Sequence, residues 1–462
     1  NCTAKFGGGM ALIDSGITAA NLDIKLNTSS EKGGGLYVIG WGWYPVGPRN
    51  EFQSCHFHHC ESMMGGAAYI HGSRRDYYNG CQFNNNTATD SGGAVALVKT
   101  NINLAYPGPR FENLTVTENQ AVMFGGAFYS TDSKPSISAS HIENNQAVNG
   151  GAFYLTGDSL GGISNSTIIR NKANNGGGCF AQSSICSSYN SQWHSNSASG
   201  SGGAIYACDH AIIYGPGNEF LDNSAQNGGA LYCVGRGQPR LQTSDFVSNT
   251  AVESGGAVYF HRSLSDSTSI SNRPELFSCV FEENQAGIEG GAVAFTGWNN
   301  ETEMVTRVYN SDFRSNRAPT GSDLYCKYDQ GKLIEVESCH FTGTIDLETY
   351  VSNQHNFQFV YNVSDLIPVN QDVYVKPDGQ DSNDGLSWDT AFRTIHHALG
   401  VLNSSSGVVL TVHVAPGVYS PSNTGELFPL PLQSNLRVSG TGSMNEVIID
   451  AESSGNVFAA VE

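Results

Sequence analysis

The chain has 462 residues, 54 of them glycine, and a formal net charge of −19 at pH 7. The negative charge argues against nucleic acid and anionic lipid as partners, because counterion release requires clusters of lysine and arginine that the sequence lacks. No apolar run approaches the ~18 residues of a membrane span, so we expect no membrane-spanning segment here. Only 14% of the residues are charged, against about 25% in typical globular domains. Together with the glycine content, this low charge favours a β-solenoid.

A glycine pair, usually followed by alanine, an aliphatic residue and an aromatic residue, recurs through the first part of the chain. Most intervals between successive pairs are 25 to 27 residues long. Such a period indicates a solenoid, in which each repeat buries its apolar side only against its neighbours. The first glycines are Gly7, Gly33, Gly65, Gly92, Gly125, Gly150, Gly176, Gly202, Gly228, Gly255, Gly290 and, before a serine, Gly321.

The repeats consist of short strands, because polar and apolar residues alternate in residues 244–251 and again in residues 255–260. No helical periodicity runs through them, which argues against leucine-rich and ankyrin-like solenoids. Two or three short strands per ~26 residues predict an all-β fold, a right-handed parallel β-helix. The glycine pairs fit corners that need positive φ and close approach of neighbouring coils.

Coils of such a helix lie ~4.8 Å apart, so a residue type repeated in each coil meets copies of itself along the axis. A column of inward apolar residues is predicted for Phe83, Ile142, Ile168, Trp193, Phe220, Phe246, Phe281 and Phe313. An asparagine follows three residues later, and a ladder of these amides satisfies both the side chains and the turn backbone. The predicted structural ladder is Asn86, Asn145, Asn171, Asn196, Asn223, Asn249, Asn284 and Asn316.

Eleven cysteines without paired metal-binding spacings indicate an oxidising, extracellular location. Cys55 and Cys81 each lie two residues before a column residue in neighbouring coils, and stacked positions fall within the Cα range that a disulfide accepts. We therefore predict a Cys55–Cys81 disulfide, with Cys208–Cys233 as a second pair. The alternative is that these are buried free thiols acting as small apolar residues.

Four intervals are longer, at 31 to 35 residues, and each insertion follows the glycine-pair strand. The insertions should emerge from one corner of the solenoid, and insertions on one face often form a binding side. Their aromatic residues could contact sugars or a protein partner, or could instead cover the flank of the solenoid. The predicted contact residues are Trp41, Trp43, Tyr44, Tyr106 and Trp298.

Sequons for N-glycosylation are about as frequent as the asparagine content alone would produce. Two of them, at Asn1 and Asn27, fall in the ladder column and should be internal. The predicted acceptors are therefore Asn85, Asn113, Asn165, Asn300, Asn362 and Asn403.

The double motif of Phe-x-x-Asn followed by Gly-Gly-Ala and Ile, Val or Leu resembles the repeat of chlamydial polymorphic membrane proteins. It recurs as residues 92–95, 202–205, 228–231 and 290–293, and the resemblance covers roughly residues 1–342. The resemblance implies a β-helical surface protein used for adhesion or assembly. This chain shows no C-terminal membrane barrel, however, so autotransporter secretion is not supported. Similar repeats also occur in large surface proteins of protists.

After residues 343–371, which we interpret as an exit segment and linker, residues 372–462 resemble the start of a pectin-lyase-like β-helix. The resemblance implies a short amphipathic helix that caps the first coil, and the first rungs are predicted at residues 408–414, 436–438 and 447–449. The spacing of the apolar residues supports that helix: Ala391, Ile395, Ala398, Leu399 and Leu402.

The chain begins inside a repeat and ends soon after the second β-helix starts. Because an uncapped β-helix exposes unpaired backbone, we expect either further parts of a longer polypeptide or other copies of the chain, joined end to end. The second arrangement would build a fibre.

Enzymatic activity requires residues that the repeat columns do not supply. A polysaccharide hydrolase needs two carboxylates ~5–9.5 Å apart in a cleft, but the columns hold Asn, Phe, Gly and Ala. A pectin lyase needs calcium-binding carboxylates and a basic residue. The net negative charge of the chain also disfavours binding of pectin, which is itself acidic. We expect no catalytic residue and no cofactor.

No metal site is expected either. His56, His58, His59 and Cys60 form the densest cluster of metal-ligand residue types, and His56 and His58 share one strand face, which would suit zinc. We nevertheless interpret these histidines as ordinary surface residues. A second cluster lacks EF-hand spacing and is interpreted as turn-forming: Asp378, Asp381, Asn383 and Asp384.

The sequence thus predicts a non-enzymatic extracellular structural protein, acting as a cell-surface adhesin or as the subunit of an extracellular filament. Its expected partners are other copies or further parts of the chain, end to end, and host or matrix glycans. The alternative is a polysaccharide lyase or hydrolase with its catalytic coils beyond residue 462.

Overall fold

The computed structural model describes residues 2–460, except 41–48, 74, 101–107, 158, 236, 263–274, 298–305, 320, 329–333, 343–356, 361–368, 370, 382, 403–408, 427, 429, 433–434, 444 and 453–455. The first part of the chain is a parallel β-helix, as the alternation predicted. Each coil contributes one strand to each of three long parallel sheets, and many coils add a short fourth strand at the corner before the glycine pair.

Sheet 1 follows the glycine pairs and contains twelve strands in the described chain. The strands are Met10–Ile13, Leu36–Ile39, Ala68–His71, Val95–Val98, Phe128–Thr131, Phe153–Thr156, Cys179–Gln182, Ile205–Cys208, Leu231–Val234, Val258–Arg262, Val293–Gly297 and Leu324–Tyr328.

Sheet 2 follows sheet 1 within each coil and contains thirteen described strands. The strands are Thr18–Ala20, Glu51–Gln53, Tyr77–Asn79, Arg110–Glu112, Ser136–Ser138, Leu160–Ser164, Ile185–Tyr189, Ile212–Pro216, Gln238–Gln242, Glu275–Phe277, Thr306–Tyr309, Ile334–Glu337 and Phe357–Val360. The last strand lies beyond residue 342, so this sheet continues into the segment that the sequence assigned to the exit.

Sheet 3 carries the phenylalanine column and contains twelve strands in the part of the chain described. The strands are Asp23–Lys25, His56–His58, Gln82–Asn84, Thr115–Thr117, His141–Glu143, Thr167–Ile169, Gln192–His194, Glu219–Leu221, Asp245–Val247, Val280–Glu282, Asp312–Arg314 and His340–Thr342. Two runs of corner strands complete the coils: Thr3–Phe6, Thr28–Lys32, Glu61–Met64, Thr87–Ser91 and Gln120–Ala121, then Lys172–Ala173, Ser197–Ala198, Ser224–Ala225, Thr250–Ala251 and Gln285–Ala286.

The core of the solenoid is a stack of identical positions. Phe220 and Phe246 lie with ring centroids 4.8 Å apart and planes 5° apart, and Phe281 and Phe313 repeat this geometry at 4.8 Å. These rings are fully buried, as is Trp193 in the same column. The spacing matches the distance between paired strands, so each ring packs on its own copy.

The glycine pairs form the corner before sheet 1. The first glycine of each unit has a φ between +60° and +69°, the left-handed region that favours glycine. The second glycine is required for a different reason. A Cβ on Gly151, for example, would lie 2.1 Å from the carbonyl oxygen of Gly177 in the next coil. Both glycines therefore let adjacent coils reach hydrogen-bonding distance.

Among its described residues, the second unit combines one helix with three small parallel sheets. The helix spans Ile395–Val401, and Thr394 caps it by accepting a hydrogen bond from the backbone N–H of His397 at 3.1 Å. The apolar positions that predicted this helix are buried. In the first sheet, Leu410–Val414 is the central strand between Val373–Val375 and Leu436–Gly440. In the other two, Gly417–Tyr419 pairs with Val447–Ile449, and Leu430–Leu432 pairs with Phe458–Ala460.

Acidic side chains of the second unit support its turns and its helix. Glu426 accepts the backbone N–H groups of Ile395 and His396 at 2.9 and 2.8 Å. Asp381 accepts the backbone N–H groups of Arg393 and Thr394. These carboxylates are therefore occupied by structural hydrogen bonds. Across the described residues, no helix has the length and apolarity needed to cross a membrane.

Candidate functional site

The predicted asparagines lie in one buried column at the end of sheet 3. Asn145 shows the pattern: its Oδ1 accepts the backbone N–H of Asn119 at 3.0 Å, and its Nδ2 donates to the carbonyl of Val116 at 3.0 Å. Asn119, three residues after Val116, is a further ladder member that was not among the predicted asparagines. These amides are inaccessible to solvent, so the ladder is structural.

Cys60 occupies the same column as these asparagines. Asn86 Oδ1 accepts its backbone N–H at 3.0 Å, and its own thiol donates to the carbonyl of Ile24 at 3.6 Å. The side chain is buried. Cys60 therefore points into the core, away from the histidines with which the sequence analysis grouped it.

A second polar column lies at the corner between sheets 2 and 3. Ser166 Oγ accepts the backbone N–H of Ser140 at 3.1 Å and donates to the carbonyl of Ser164 at 2.8 Å. Cys55 and Cys81 occupy this column and donate in the same way, Cys55 to the carbonyl of Gln53 at 3.4 Å and Cys81 to that of Asn79 at 3.6 Å. The sequence does not predict this ladder, because serine, cysteine and asparagine alternate in it without a fixed motif.

The structure contains neither predicted disulfide. Cys55 and Cys81 are stacked as predicted, but both are free thiols, each donating to a backbone carbonyl. Cys208 and Cys233 are also free, and they are out of register by one residue: Cys233 pairs with Ala207, while Cys208 pairs with Gln182. A shift of one residue sends their side chains to opposite faces of the sheet.

Three predicted glycosylation acceptors can be located. Asn85, Asn113 and Asn165 are exposed at turns, each with positive φ. The remaining acceptors, Asn300, Asn362 and Asn403, lie outside the described residues. So do all five predicted contact aromatics: Trp41, Trp43, Tyr44, Tyr106 and Trp298.

A different aromatic surface runs along the outside of sheet 1. Its six rings come from consecutive coils and stack at centroid distances of 4.7 to 5.8 Å. All are partly exposed except Tyr154, which is 7% exposed. They are the fifth residues of the glycine-pair motif, which alternation turns outward. We call this surface the aromatic strip: Tyr129, Tyr154, Phe180, Tyr206, Tyr232 and Tyr259.

The tyrosine hydroxyls of the strip lie beside polar residues of the same sheet face. Tyr154 donates to Gln182 Oε1 at 3.0 Å, and Thr296 donates to the hydroxyl of Tyr259 at 2.6 Å. Burial raises the pKa of both Tyr154 and Tyr206 to about 12. These phenols therefore stay protonated at physiological pH and can both donate and accept hydrogen bonds.

The outside of sheet 3 is polar and carries histidine–carboxylate pairs. His58 Nε2 lies 2.7 Å from Asp23 Oδ1, and His194 Nε2 lies 3.0 Å from Glu219 Oε2. His56 adjoins the first pair, and burial, followed by the charge of His58, lowers its pKa.

Two segments of the chain match known families. Residues 80–97 match the Chlamydia polymorphic membrane protein repeat, and they contain both Phe83-x-x-Asn86 and the glycine pair at Gly92. Residues 377–458 match a protein family of unknown function, DUF1565, which is a pectin-lyase-like β-helix family. No curated protein and no solved structure matches the chain. The two family matches agree with the resemblances that the sequence motifs indicated.

Proposed function

We propose that this chain is a surface-displayed, non-catalytic β-helical rod that binds neutral glycans of another cell or of the extracellular matrix through the aromatic strip. The observation that carries the proposal is the strip itself: six stacked rings, most of them partly exposed, on one face of a rigid scaffold.

The chemistry of the strip suits a polymer that is both hydroxylated and apolar. Tyrosine offers an apolar ring and a polar tip. The neighbouring column of sheet 1 adds Thr131, Thr156 and Gln182, which can donate and accept hydrogen bonds. Because the strip follows the solenoid axis, several units of an extended chain could contact it at once, which increases affinity by multivalency.

The net charge of the chain limits which glycans it can bind. The net charge is −19, and no lysine or arginine belongs to the strip. Acidic polymers such as pectins or sulfated glycans would be repelled, so the proposed ligand is a neutral glycan.

The match to a repeat of Chlamydia polymorphic membrane proteins supports display at a surface. A scaffold whose coils stack on copies of themselves is suited to a stalk or a filament that presents one face along its length. On this proposal, the buried ladders and rings provide rigidity and the outer face provides binding.

The test is binding of the chain to immobilised neutral and acidic polysaccharides, measured by surface plasmon resonance. Tyr206→Ser with Tyr232→Ser should weaken binding at least tenfold. The matched control is Tyr189→Ser with Tyr214→Ser, which removes an exposed tyrosine pair from sheet 2 whose rings lie 5.9 Å apart. Circular dichroism establishes that both variants fold.

The proposal fails if the strip variant binds as tightly as the control, or if only acidic polysaccharides bind. Release of reducing ends or unsaturated sugars during the assay would instead support an enzyme. Each outcome separates an adhesive rod from the carbohydrate-active alternative.

A further inference from the structure

The outer face of sheet 3 brings three metal-ligand side chains together at its N-terminal end. Asp23 pairs in register with His56 of the next coil, so their side chains are stacked on the same face. His58 lies two residues after His56 on the same strand and therefore shares that face. One donor atom of each side chain lies within 4.8 Å of the other two.

The three side chains are packed against one another. His58 Nε2 is 2.7 Å from Asp23 Oδ1, and the rings of His56 and His58 are stacked with centroids 4.1 Å apart. The other nitrogen of His58, Nδ1, is 2.9 Å from His59 Nδ1. Two imidazoles and a carboxylate thus converge at a place that solvent reaches, because none of the three side chains is fully buried.

We propose that Asp23, His56 and His58 bind a zinc ion. Two histidines and one carboxylate are a common protein ligand set for zinc, and they leave a fourth position open to water or to a group from a partner. Calcium and magnesium are excluded, because they require a shell of oxygen ligands. Nickel and copper bind the same donor set, copper more tightly.

The donor atoms lie within 4.8 Å of one another, and they must reach the spacing of a tetrahedral site to hold the ion. Donor atoms on a tetrahedral zinc are about 3.3 Å apart, given bonds of about 2.0–2.1 Å, so the pair at 2.7 Å must separate slightly. Lys25 Nζ contacts Asp23 Oδ2 at 2.8 Å, whereas the other carboxylate oxygen, Oδ1, lies beside His58. Cys60, which follows in sequence, is not a ligand because its thiol is buried on the other side of the sheet.

The same face supplies an internal control. His194 and Glu219 form a histidine–carboxylate pair across adjacent coils, with the atoms 3.0 Å apart. That pair is not part of the three-ligand cluster found among the described residues. A zinc site should therefore depend on His56 and His58 and not on His194.

The experiment is isothermal titration of the tag-free chain with zinc chloride after chelator treatment and dialysis. Wild type should bind one zinc ion per chain. His56→Gln, His58→Gln and Asp23→Asn should each weaken binding at least tenfold, and His194→Gln should leave it unchanged. Cobalt substitution should give visible d–d bands in wild type that His58→Gln removes. Because the three side chains lie on the surface, circular dichroism should show that every variant folds.

The proposal is wrong if wild type binds no more zinc than a variant carrying both His56→Gln and His58→Gln. It is equally wrong if His194→Gln lowers affinity as much as His58→Gln, since zinc would then be bound by surface histidines in general. The result is independent of glycan binding, which the aromatic strip on sheet 1 would support without metal.

Discussion

Asn145 Nδ2 donates to Asn171 Oδ1 in the next coil at 3.0 Å, with both amides fully buried. The same Asn171 Oδ1 also accepts the backbone N–H of Asn145, at 2.9 Å. Each asparagine therefore binds a side chain and a backbone group of its neighbour. The ladder couples consecutive coils along the interior of the solenoid.

Asn145→Ala should destabilise the solenoid strongly. The substitution removes the acceptor of the Asn119 backbone N–H and the donor to the carbonyl of Val116, and each buried unsatisfied group costs about 1–3 kcal/mol. We expect a lower urea midpoint by circular dichroism. The control is Asn144→Gly, one residue earlier at an exposed turn with a φ of +53°. An equal loss in both variants would contradict a special role for the ladder.

Gly151→Ala should prevent adjacent coils from closing. The new Cβ would lie 2.1 Å from the carbonyl oxygen of Gly177, a backbone atom that cannot rotate away. Gly80→Ala provides the comparison: its φ is +61°, but the nearest atom is 3.5 Å away. For Gly80→Ala we therefore expect the protein to lose only about 1–2 kcal/mol of stability, the cost of holding alanine in the left-handed backbone region. Soluble yield and thermal midpoint should separate the two; similar values would refute the steric argument.

Asp76→Asn should stabilise the protein at neutral pH. Burial raises the pKa of Asp76, although hydrogen bonds from Ser73 and Asn50 oppose the shift. Its Oδ2 has no hydrogen-bond partner among the described residues. Asparagine keeps the acceptor that Asn50 uses at 3.0 Å and removes the buried charge, so we expect a gain of about 1–2 kcal/mol.

The pH dependence of that gain follows from the same shift. Because the pKa is higher in the folded state, wild type loses stability relative to the variant as pH rises through the folded value, and the difference closes at lower pH. Urea midpoints at several pH values measure this. Asp222→Asn, at an exposed turn, is the control. A gain that does not change with pH would show that the charge of Asp76 is not the cause.

Cys55, Cys81, Cys208 and Cys233 should all be alkylated when the protein is unfolded without reductant, since the structure holds them as free thiols. In the native state Cys2 should react first, because it is exposed and these four are buried. Peptide mapping under non-reducing conditions provides the measurement. A cross-linked peptide joining residues 55 and 81 would restore the disulfide that the sequence predicted.

The sequence predicted the solenoid because its period and alternation directly reflect the strand geometry. The sequence was less informative where one residue type replaces another within a column: Cys60 takes an asparagine position in the ladder. The pairing of Cys208 with Cys233 was wrong because strand register decides which face a side chain takes, and a repeat count does not fix register to one residue.

The candidate surfaces were harder to predict than the fold. In the sequence, the residues of the aromatic strip are only the fifth position of the glycine-pair motif, which we interpreted as structural. The sequence instead predicted a contact surface in the corner insertions. The histidine cluster was visible in sequence, but its third member, Asp23, is 33 residues before His56. Only the stacking of coils brings these side chains together.

Because each column repeats the same kind of residue in consecutive coils, evolution can change the length of the rod by adding or removing coils. If residues 176–201 were deleted, Ile168 would meet Phe220, Phe153 would meet Ile205 and Asn171 would meet Asn223, so each position would find a compatible neighbour. If a coil were duplicated, its residues would likewise lie next to compatible residues in the neighbouring coils. Gain or loss of whole coils thus changes the reach of the molecule in steps of about 4.8 Å, without requiring a new interface to arise.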